Sequence, residues 1–114
     1  MDTDEGRLLA RLVDTAEFQR LRRIRQLGLG YVAYHTAEHS RFTHSLGACH
    51  LATRILAKFG NDYPISDDDR VAVRAAALLH DIGHGAFSHV IEGILNFHHE
   101  DFTVEAVLSG ETEV

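Results

Sequence analysis

Residues 75–85 read Ala-Ala-Ala-Leu-Leu-His-Asp-Ile-Gly-His-Gly, an apolar run that ends in a histidine, an aspartate and two glycines. The pattern predicts a helix from Asp67 to about His80, nearly all apolar from Val71 to Leu79, and we expect it to be the central buried helix. Placing an imidazole and the carboxylate of Asp81 beside a hydrophobic core is costly unless something pairs with them. A divalent cation would pair with both, as would a simple hydrogen bond between the two side chains.

Two glycines follow this histidine–aspartate pair. Gly83 and Gly85 allow the backbone to turn tightly and to approach a ligand closely, and His84 lies between them. His89 follows a few residues later. Three histidines and an aspartate within ten residues, around flexible glycine, indicate a functional site rather than a core.

A further histidine, His44, lies on a second predicted helix that runs from about Arg41 to Phe59. Ligands drawn from two crossing helices commonly hold a metal ion. Nitrogen and oxygen donors without a thiolate suit iron, manganese, zinc or magnesium and do not choose among them. We therefore predict a divalent-metal site at His44, His80 and Asp81.

Two more groups pair histidine with a carboxylate. His89 and Glu92 are spaced i, i+3 and so share one helix face, an arrangement typical of a general acid or base near neutral pH. The same spacing fits a surface pair of little energetic value. The run His98-His99-Glu100, taken by itself, favours a polar helix start.

The rest of the chain predicts helices and no strands. The run from Asp14 to Glu17 resembles a capping box, and apolar residues at helical spacing follow it until Gly28 and Gly30 end the helix. Shorter helices are predicted around 87–95 and from about 100 to 108. We expect an all-α fold.

The bulk composition argues against several classes of protein. The 114 residues suit a single domain, and no stretch approaches the ~20 apolar residues of a membrane helix. The acidic start, Met1 to Glu5, is unlike a signal peptide, and the single cysteine, Cys49, fits a reducing cytoplasm. A net charge of −6 argues against general nucleic-acid binding. We expect a cytoplasmic protein without a membrane segment or a nucleic-acid partner.

Positive charge is concentrated in one part of the chain despite this balance. Five arginines lie before the first histidine motif: Arg20, Arg22, Arg23, Arg25 and Arg41. They fit either a solvated helix face or a local pocket for polyphosphate, because a small anion needs only local positive charge.

Several of these motifs together resemble the HD-domain phosphohydrolases, and most closely their deoxynucleoside triphosphate triphosphohydrolase branch. The motifs are Arg-Phe-Thr-His-Ser-Leu-Gly at 41–47, Leu-His-Asp-Ile-Gly-His-Gly-Ala-Phe-Ser-His at 79–89, and His99-Glu100. The stretch 18–28 also resembles that branch, so that the likeness runs from about residue 8 to residue 107.

The resemblance implies an all-α, HD-domain helical bundle with one metal centre at His44, His80 and Asp81. It implies that positions matching His84, His89 and His99 line the reaction site, with His89 and Glu92 as the catalytic pair. Positions matching Gln26 and Leu27 would contact the sugar and base of a nucleotide, and Arg41 its phosphates.

One feature departs from the family pattern. The family's fourth metal ligand is an aspartate far downstream, and Asp101 is too close to the preceding motif to match it. The chain therefore resembles the N-terminal part of such an enzyme, a single partial HD domain spanning residues 1–114. We expect self-association or a second subunit that completes the site.

The function that the resemblance implies is hydrolysis of a (deoxy)nucleoside triphosphate to nucleoside and triphosphate. Two alternatives stay open. One is an HD-type phosphodiesterase or phosphatase that acts on another nucleotide through the same ligands. The other is a truncated, non-catalytic remnant that binds metal or nucleotide.

Overall fold

The computed structural model describes residues 3–87, 89–96 and 98–114, and within these ranges it consists of helices, turns and irregular segments. The helices are α1 Asp4–Asp14, α2 Ala16–Arg20, α3 Arg41–Phe59, α4 Asp67–Leu79, α5 His89–Leu95 and α6 His99–Leu108. Two short 3-10 turns occupy Leu21–Arg23 and Gly30–Val32. Extended pairing in the described part is limited to one isolated bridge between Arg25 and Ser40. The all-α prediction is confirmed.

Serine side chains cap the two long helices. The Ser40 hydroxyl accepts a hydrogen bond from the backbone N–H of Thr43, and the Ser66 hydroxyl accepts one from Asp69 at 3.1 Å. Three aspartates occupy the first turn of α4, where the helix dipole favours negative charge. These local signals start α3, which carries His44, and α4, which ends directly before His80 and Asp81.

The N-terminal helices differ from the prediction in two details. The N-cap of α2 is Thr15 rather than Asp14, and its hydroxyl accepts a hydrogen bond from the backbone N–H of Phe18. The helix also ends well before Gly28, because the extended Ile24 uses its carbonyl to accept a hydrogen bond from the N–H of Arg41 at 2.8 Å. A tertiary hydrogen bond therefore overrides a helical apolar spacing.

The start of α5 also differs from the prediction. The predicted helix began at Phe87, but that residue has a φ of 65° and α5 begins at His89. Ser88, which falls in the predicted helix, lies outside the described residues. Gly28 is the neighbour of this bend: a Cβ there would lie 3.1 Å from the Phe87 carbonyl oxygen, and Gly28 itself has a φ of +54°.

The hydrophobic core lies where α2, the start of α3 and the end of α4 meet. Phe18 and Phe42 pack edge to face with ring centroids 5.2 Å apart. Burying each large apolar side chain of this kind contributes roughly 1.5–3 kcal/mol. The buried core residues are Leu9, Phe18, Leu21, Ile24, Phe42, Leu78, Leu79 and Ile82.

Helix α4 is less buried than the prediction of a central helix requires. Its buried residues are Leu78 and Leu79, whereas Val73 is 45% exposed. None of the described residues of α6 is buried, and an apolar groove of about 520 Å³ runs between α4 and α6. Burial is therefore concentrated in the last turn of α4, directly before the predicted metal ligands. Among the described residues, no helix is both long and apolar enough to cross a membrane.

Candidate metal centre and neighbouring histidine cluster

The end of α4 turns the chain so that consecutive side chains face different surroundings. His80 is the C-cap residue, and the next backbone hydrogen bonds run from Ile82 to the Leu79 carbonyl and from His84 to the Asp81 carbonyl. Ile82 is 2% exposed and belongs to the core. Burial of Ile82 therefore fixes the residues on both sides of it.

His44, His80 and Asp81, here called the metal triad, bring three donor atoms together. The Nε2 atoms of His44 and His80 lie 3.2 Å apart. The Asp81 carboxylate lies 3.7 Å from the first ring nitrogen and 3.4 Å from the second. All three donor atoms lie within 4.8 Å of one another, so the donor set fits a single divalent cation.

The hydrogen bonds around the metal triad leave ring nitrogens available to a cation. Nδ1 of His80 lies 2.9 Å from the Ala77 carbonyl oxygen, to which it donates, so the lone pair resides on Nε2. Burial lowers the pKa of His44, as do the charges of His80, Arg41 and His39, against an opposing effect of Asp81. A lowered pKa favours the neutral imidazole, which is the form that binds metal.

Arg41 holds the carboxylate of the metal triad. Its Nη1 donates to Asp81 Oδ2 at 2.6 Å, and the two side chains are 1% and 5% exposed. Its Nη2 donates to the Gln26 carbonyl at 3.4 Å. The predicted phosphate contact is thus a buried partner of Asp81 in this structure, with Gln26 beside it, while Leu27 is exposed. Their roles toward a substrate stay predictions.

Four further residues, here called the Glu92 cluster, gather around one carboxylate: His84, His89, Glu92 and His99. Glu92 Oε2 lies 2.8 Å from Nδ1 of His89, and Oε1 lies 2.8 Å from Nδ1 of His99. Nδ1 of His84 lies 3.3 Å from Oε1. Burial alone would raise the pKa of Glu92, but the hydrogen bond from His89 and the three neighbouring imidazoles lower it overall.

His84 is the link between the two groups. It is 1% exposed, its Nε2 lies 3.5 Å from Asp81 Oδ1, and its ring stacks on His99 with centroids 3.7 Å apart. Burial lowers the pKa of His84 to about 4, helped by the positive charge of Arg41. The imidazole is therefore neutral near pH 7. The metal triad and the Glu92 cluster form one continuous site.

Arg20 and Thr103 hold the backbone of this site in place. The sequence alone predicted this role for neither residue. Arg20 donates from its guanidinium to the backbone carbonyls of Ile82 and His84, which lie 62 and 64 residues further along the chain. Thr103 on α6 accepts a hydrogen bond from the Gly83 N–H at 3.0 Å and donates to the His80 carbonyl at 3.1 Å. A Cβ on Gly83 would lie 2.1 Å from the His99 carbonyl oxygen.

The arginines of the arginine-rich stretch contact several different partners. Arg20 holds the backbone after α4, Arg22 stacks over the Phe42 ring, and Arg25 stacks over the Tyr31 ring. The excess of arginine before His44 was the sequence signal for these roles. Their partners are set by the fold. The four histidines outside both groups are exposed: His35, His39, His50 and His98.

The chain is similar in sequence to a known family of proteins. The family model described as the HD domain matches residues 41–111, which include both the metal triad and the Glu92 cluster. The chain belongs to the HD-domain family.

Two relatives of this chain are much longer than it is. The chain is 50% identical over 109 residues to the uncharacterized protein YwfO of Bacillus subtilis, covering 95% of this chain and 25% of that protein. It is 48% identical over 89 residues to the deoxynucleoside triphosphate triphosphohydrolase SAMHD1 of Homo sapiens, covering 75% of this chain and 14% of that protein.

A solved structure supports the same fold. The chain matches a phosphohydrolase from Bacteroides thetaiotaomicron with a TM-score of 0.80 and 44% identity, over 85% of this chain and 25% of that one. The chain thus spans a quarter or less of the length of these three relatives.

Proposed function

We propose that the protein is a metal-dependent phosphohydrolase that cleaves (deoxy)nucleoside triphosphates to nucleoside and triphosphate. The observation that carries the proposal is the 3.5 Å contact between Asp81 and His84, which joins the metal triad to the Glu92 cluster. Hydrolysis of a phosphate ester needs charge stabilisation and proton transfer at adjacent positions. The similarity to a deoxynucleoside triphosphate triphosphohydrolase supports the choice of substrate.

The metal triad would hold the cation. A bound divalent cation would stabilise charge on phosphate oxygens and lower the pKa of water. Arg41 keeps the Asp81 carboxylate oriented through the buried ion pair, and the hydrogen bond to Ala77 keeps His80 in the tautomer that offers Nε2. These contacts preset the donors, so little reorganisation accompanies metal binding.

The Glu92 cluster would handle the proton. Attack of water at the α-phosphorus breaks its bond to the sugar 5′ oxygen, and that oxygen must gain a proton. The His89 side chain is 66% exposed, and its Nδ1 lies 2.8 Å from Glu92 Oε2. Its other ring nitrogen, Nε2, would carry the proton to the leaving oxygen. His84 and His99, which stack on one another, would line the reaction site beside the phosphate groups.

Three residues of the N-terminal half would bind the substrate. Arg41, whose guanidinium holds Asp81, would also contact a phosphate oxygen of the substrate. Gln26, joined to Arg41 through its carbonyl, and the exposed Leu27 would contact the sugar and base.

The metal triad is exposed on one side, where a further metal ligand from outside the described residues could bind the same cation. The His44 and His80 side chains are 39% and 41% exposed, whereas Asp81 is 5% exposed. We propose that a second copy of the chain or a completing subunit covers this side. Light scattering of the purified chain with and without Mn²⁺ measures self-association.

The function is tested by triphosphate release from a mixture of the four deoxynucleoside triphosphates with Mn²⁺, followed by ion-exchange chromatography. We expect His80→Ala to reduce release to background and His89→Gln to reduce it about 100-fold. The exposed His50→Ala, outside both groups, is the matched control and keeps its rate.

Two results would redirect the proposal. Cleavage of a cyclic dinucleotide or a monophosphate, with no triphosphate formed, would favour a phosphodiesterase or phosphatase. Equal background rates in the wild-type and His80→Ala chains would favour a non-catalytic remnant.

A further inference from the structure

The Glu92 cluster gathers three imidazole rings around one carboxylate. His89 and His99 each direct an Nδ1 at a separate oxygen of Glu92, both at 2.8 Å. The four donor atoms of the cluster lie within 4.8 Å of one another. Such a group of three imidazoles and one carboxylate is a set of metal donors as well as a proton relay.

His84 supplies an independent sign of a missing ligand. Both of its ring nitrogens are enclosed and have no hydrogen-bond partner among the described residues, although Glu92 Oε1 lies 3.3 Å from Nδ1. A buried polar group without a partner costs roughly 1–3 kcal/mol. The ring stacks on His99, so its Nδ1 cannot move away from the Glu92 cluster without losing that contact.

We propose that His84, His89, Glu92 and His99 form a second divalent-cation site, separate from the metal triad, with donors that suit Zn²⁺. Three imidazole nitrogens and one carboxylate oxygen match zinc in donor type and number. Donors on a tetrahedron around zinc are about 3.3 Å apart, given bonds of about 2.0–2.1 Å. The Oε1 atom of Glu92 lies 3.3 Å from Nδ1 of His84 and 2.8 Å from Nδ1 of His99, close to that spacing, whereas Nδ1 of His89 contacts the other oxygen, Oε2, at 2.8 Å.

Protons can be redistributed to allow this binding. The Nδ1 protons of His89 and His99 must leave, and each ring can take up a proton on Nε2 and stay neutral. His89 is 66% exposed, so its Nε2 can exchange protons with water. Neither ring nitrogen of His84 has a hydrogen-bond partner among the described residues, and the tautomer with its proton on Nε2 presents the Nδ1 lone pair to the cation. One carboxylate and three neutral rings then surround a doubly charged cation.

The second site has a consequence that depends on the proposed function. A cation bound at His89 Nδ1 takes the place of the Nδ1 proton and its hydrogen bond to Glu92, so the ring can no longer become the imidazolium that would act as general acid. Excess Zn²⁺ would then inhibit turnover supported by Mn²⁺ at the metal triad. Binding itself is measurable without activity, so failure of this inference and failure of the proposed function are distinguishable.

The binding experiment uses Co²⁺, whose visible absorption is strong in a four-coordinate site, on the purified metal-free chain. We expect two equivalents in the wild type. His44→Ala, at a half-exposed position of the metal triad, should keep one equivalent with the four-coordinate spectrum. His99→Ala should lose that spectrum and bind the second equivalent at least tenfold more weakly. His98→Ala, an exposed neighbour, is the matched control and resembles wild type.

Several outcomes would overturn the proposal. They are a wild-type stoichiometry of one, a His99→Ala spectrum equal to that of wild type, and a folded His44→Ala chain that binds no Co²⁺. Circular dichroism reports folding of each variant. If His99→Ala fails to fold, X-ray absorption of Zn²⁺ on His44→Ala decides: three imidazole ligands support the second site, and fewer than three contradict it.

Discussion

The metal triad and the Glu92 cluster are built from the same residue types but hold their carboxylates differently. In the metal triad, Arg41 neutralises Asp81 from behind, and the two imidazoles are left facing a half-exposed opening. In the Glu92 cluster, no arginine bond to the carboxylate is seen among the described contacts, and imidazoles themselves hold Glu92. The partner of each carboxylate therefore decides whether the nearby histidines are available to bind metal or are engaged in hydrogen bonds to the carboxylate.

The strongest test of this contrast removes the arginine. Arg41→Ala leaves the carboxylate of Asp81 buried and unpaired, which should reduce the free energy of unfolding by about 3–5 kcal/mol. Urea denaturation followed by circular dichroism measures the loss. Arg23→Ala, at an exposed arginine on the preceding turn, is the control and should change stability by no more than about 0.5 kcal/mol. A loss below about 1 kcal/mol in Arg41→Ala would show that the ion pair is not what holds Asp81.

The next test separates the two groups sterically. Gly83→Ala places a Cβ 2.1 Å from the His99 carbonyl oxygen, so α6 must move. We expect the free energy of unfolding to fall by about 3 kcal/mol, the upper end of the usual range for overpacking. The contacts of His99 in the Glu92 cluster should change more than Mn²⁺ binding by the metal triad. Gly85→Ala is the matched control, because its Cβ would meet no atom within 4 Å. Equal stability of the two variants would contradict the close approach.

A smaller effect is expected at the segment that joins the two groups. Arg20→Ala removes the hydrogen bonds to the Ile82 and His84 carbonyls and should cost about 1.5 kcal/mol, the low end for bonds from a charged donor. Burial lowers the pKa of Arg20, while Glu17 opposes the shift, and the guanidinium stays charged at neutral pH. Arg22→Ala on the same stretch loses its stacking over Phe42 but no bond to this segment, and should leave His84 in place. Chemical shifts of the His84 ring protons distinguish the two variants.

The last test uses pH on the metal-free chain. The pKa of His84 is lowered to about 4 in the folded protein from 6.5 in the unfolded chain, so the unfolded state binds the proton more readily. The contribution of His84 to the free energy of unfolding is therefore fully present above pH 6.5 and is lost as the pH falls from 6.5 to about 4. Denaturation at several pH values measures the slope, and His84→Phe should flatten it. A slope in this window unchanged by the substitution would place the titration elsewhere.

Local sequence was sufficient for much of the fold and for part of the site. The serine caps of α3 and α4 and the apolar run before His80 act within a few residues, and so their prediction needed no knowledge of the rest of the chain. The i, i+3 pairing of His89 with Glu92 is present for the same reason, as helical geometry alone brings the two together. The helix end expected at Gly28 was wrong, because the Ile24 carbonyl bonds to Arg41 across the fold.

By itself the sequence determined an all-α chain with the HD motif at the end of a helix, because caps, periodicity and adjacency are short-range properties. Only the tertiary structure decided that Arg41 pairs with Asp81 across 40 residues and that Arg20 holds the His84 carbonyl across 64. Arginine pairs with whichever acceptor the packed chain brings within about 3 Å, and no local pattern names that acceptor. His80 and Asp81 are neighbours by covalent bonding, whereas the contact that joins them to His99 through His84 exists only because α6 packs against the end of α4.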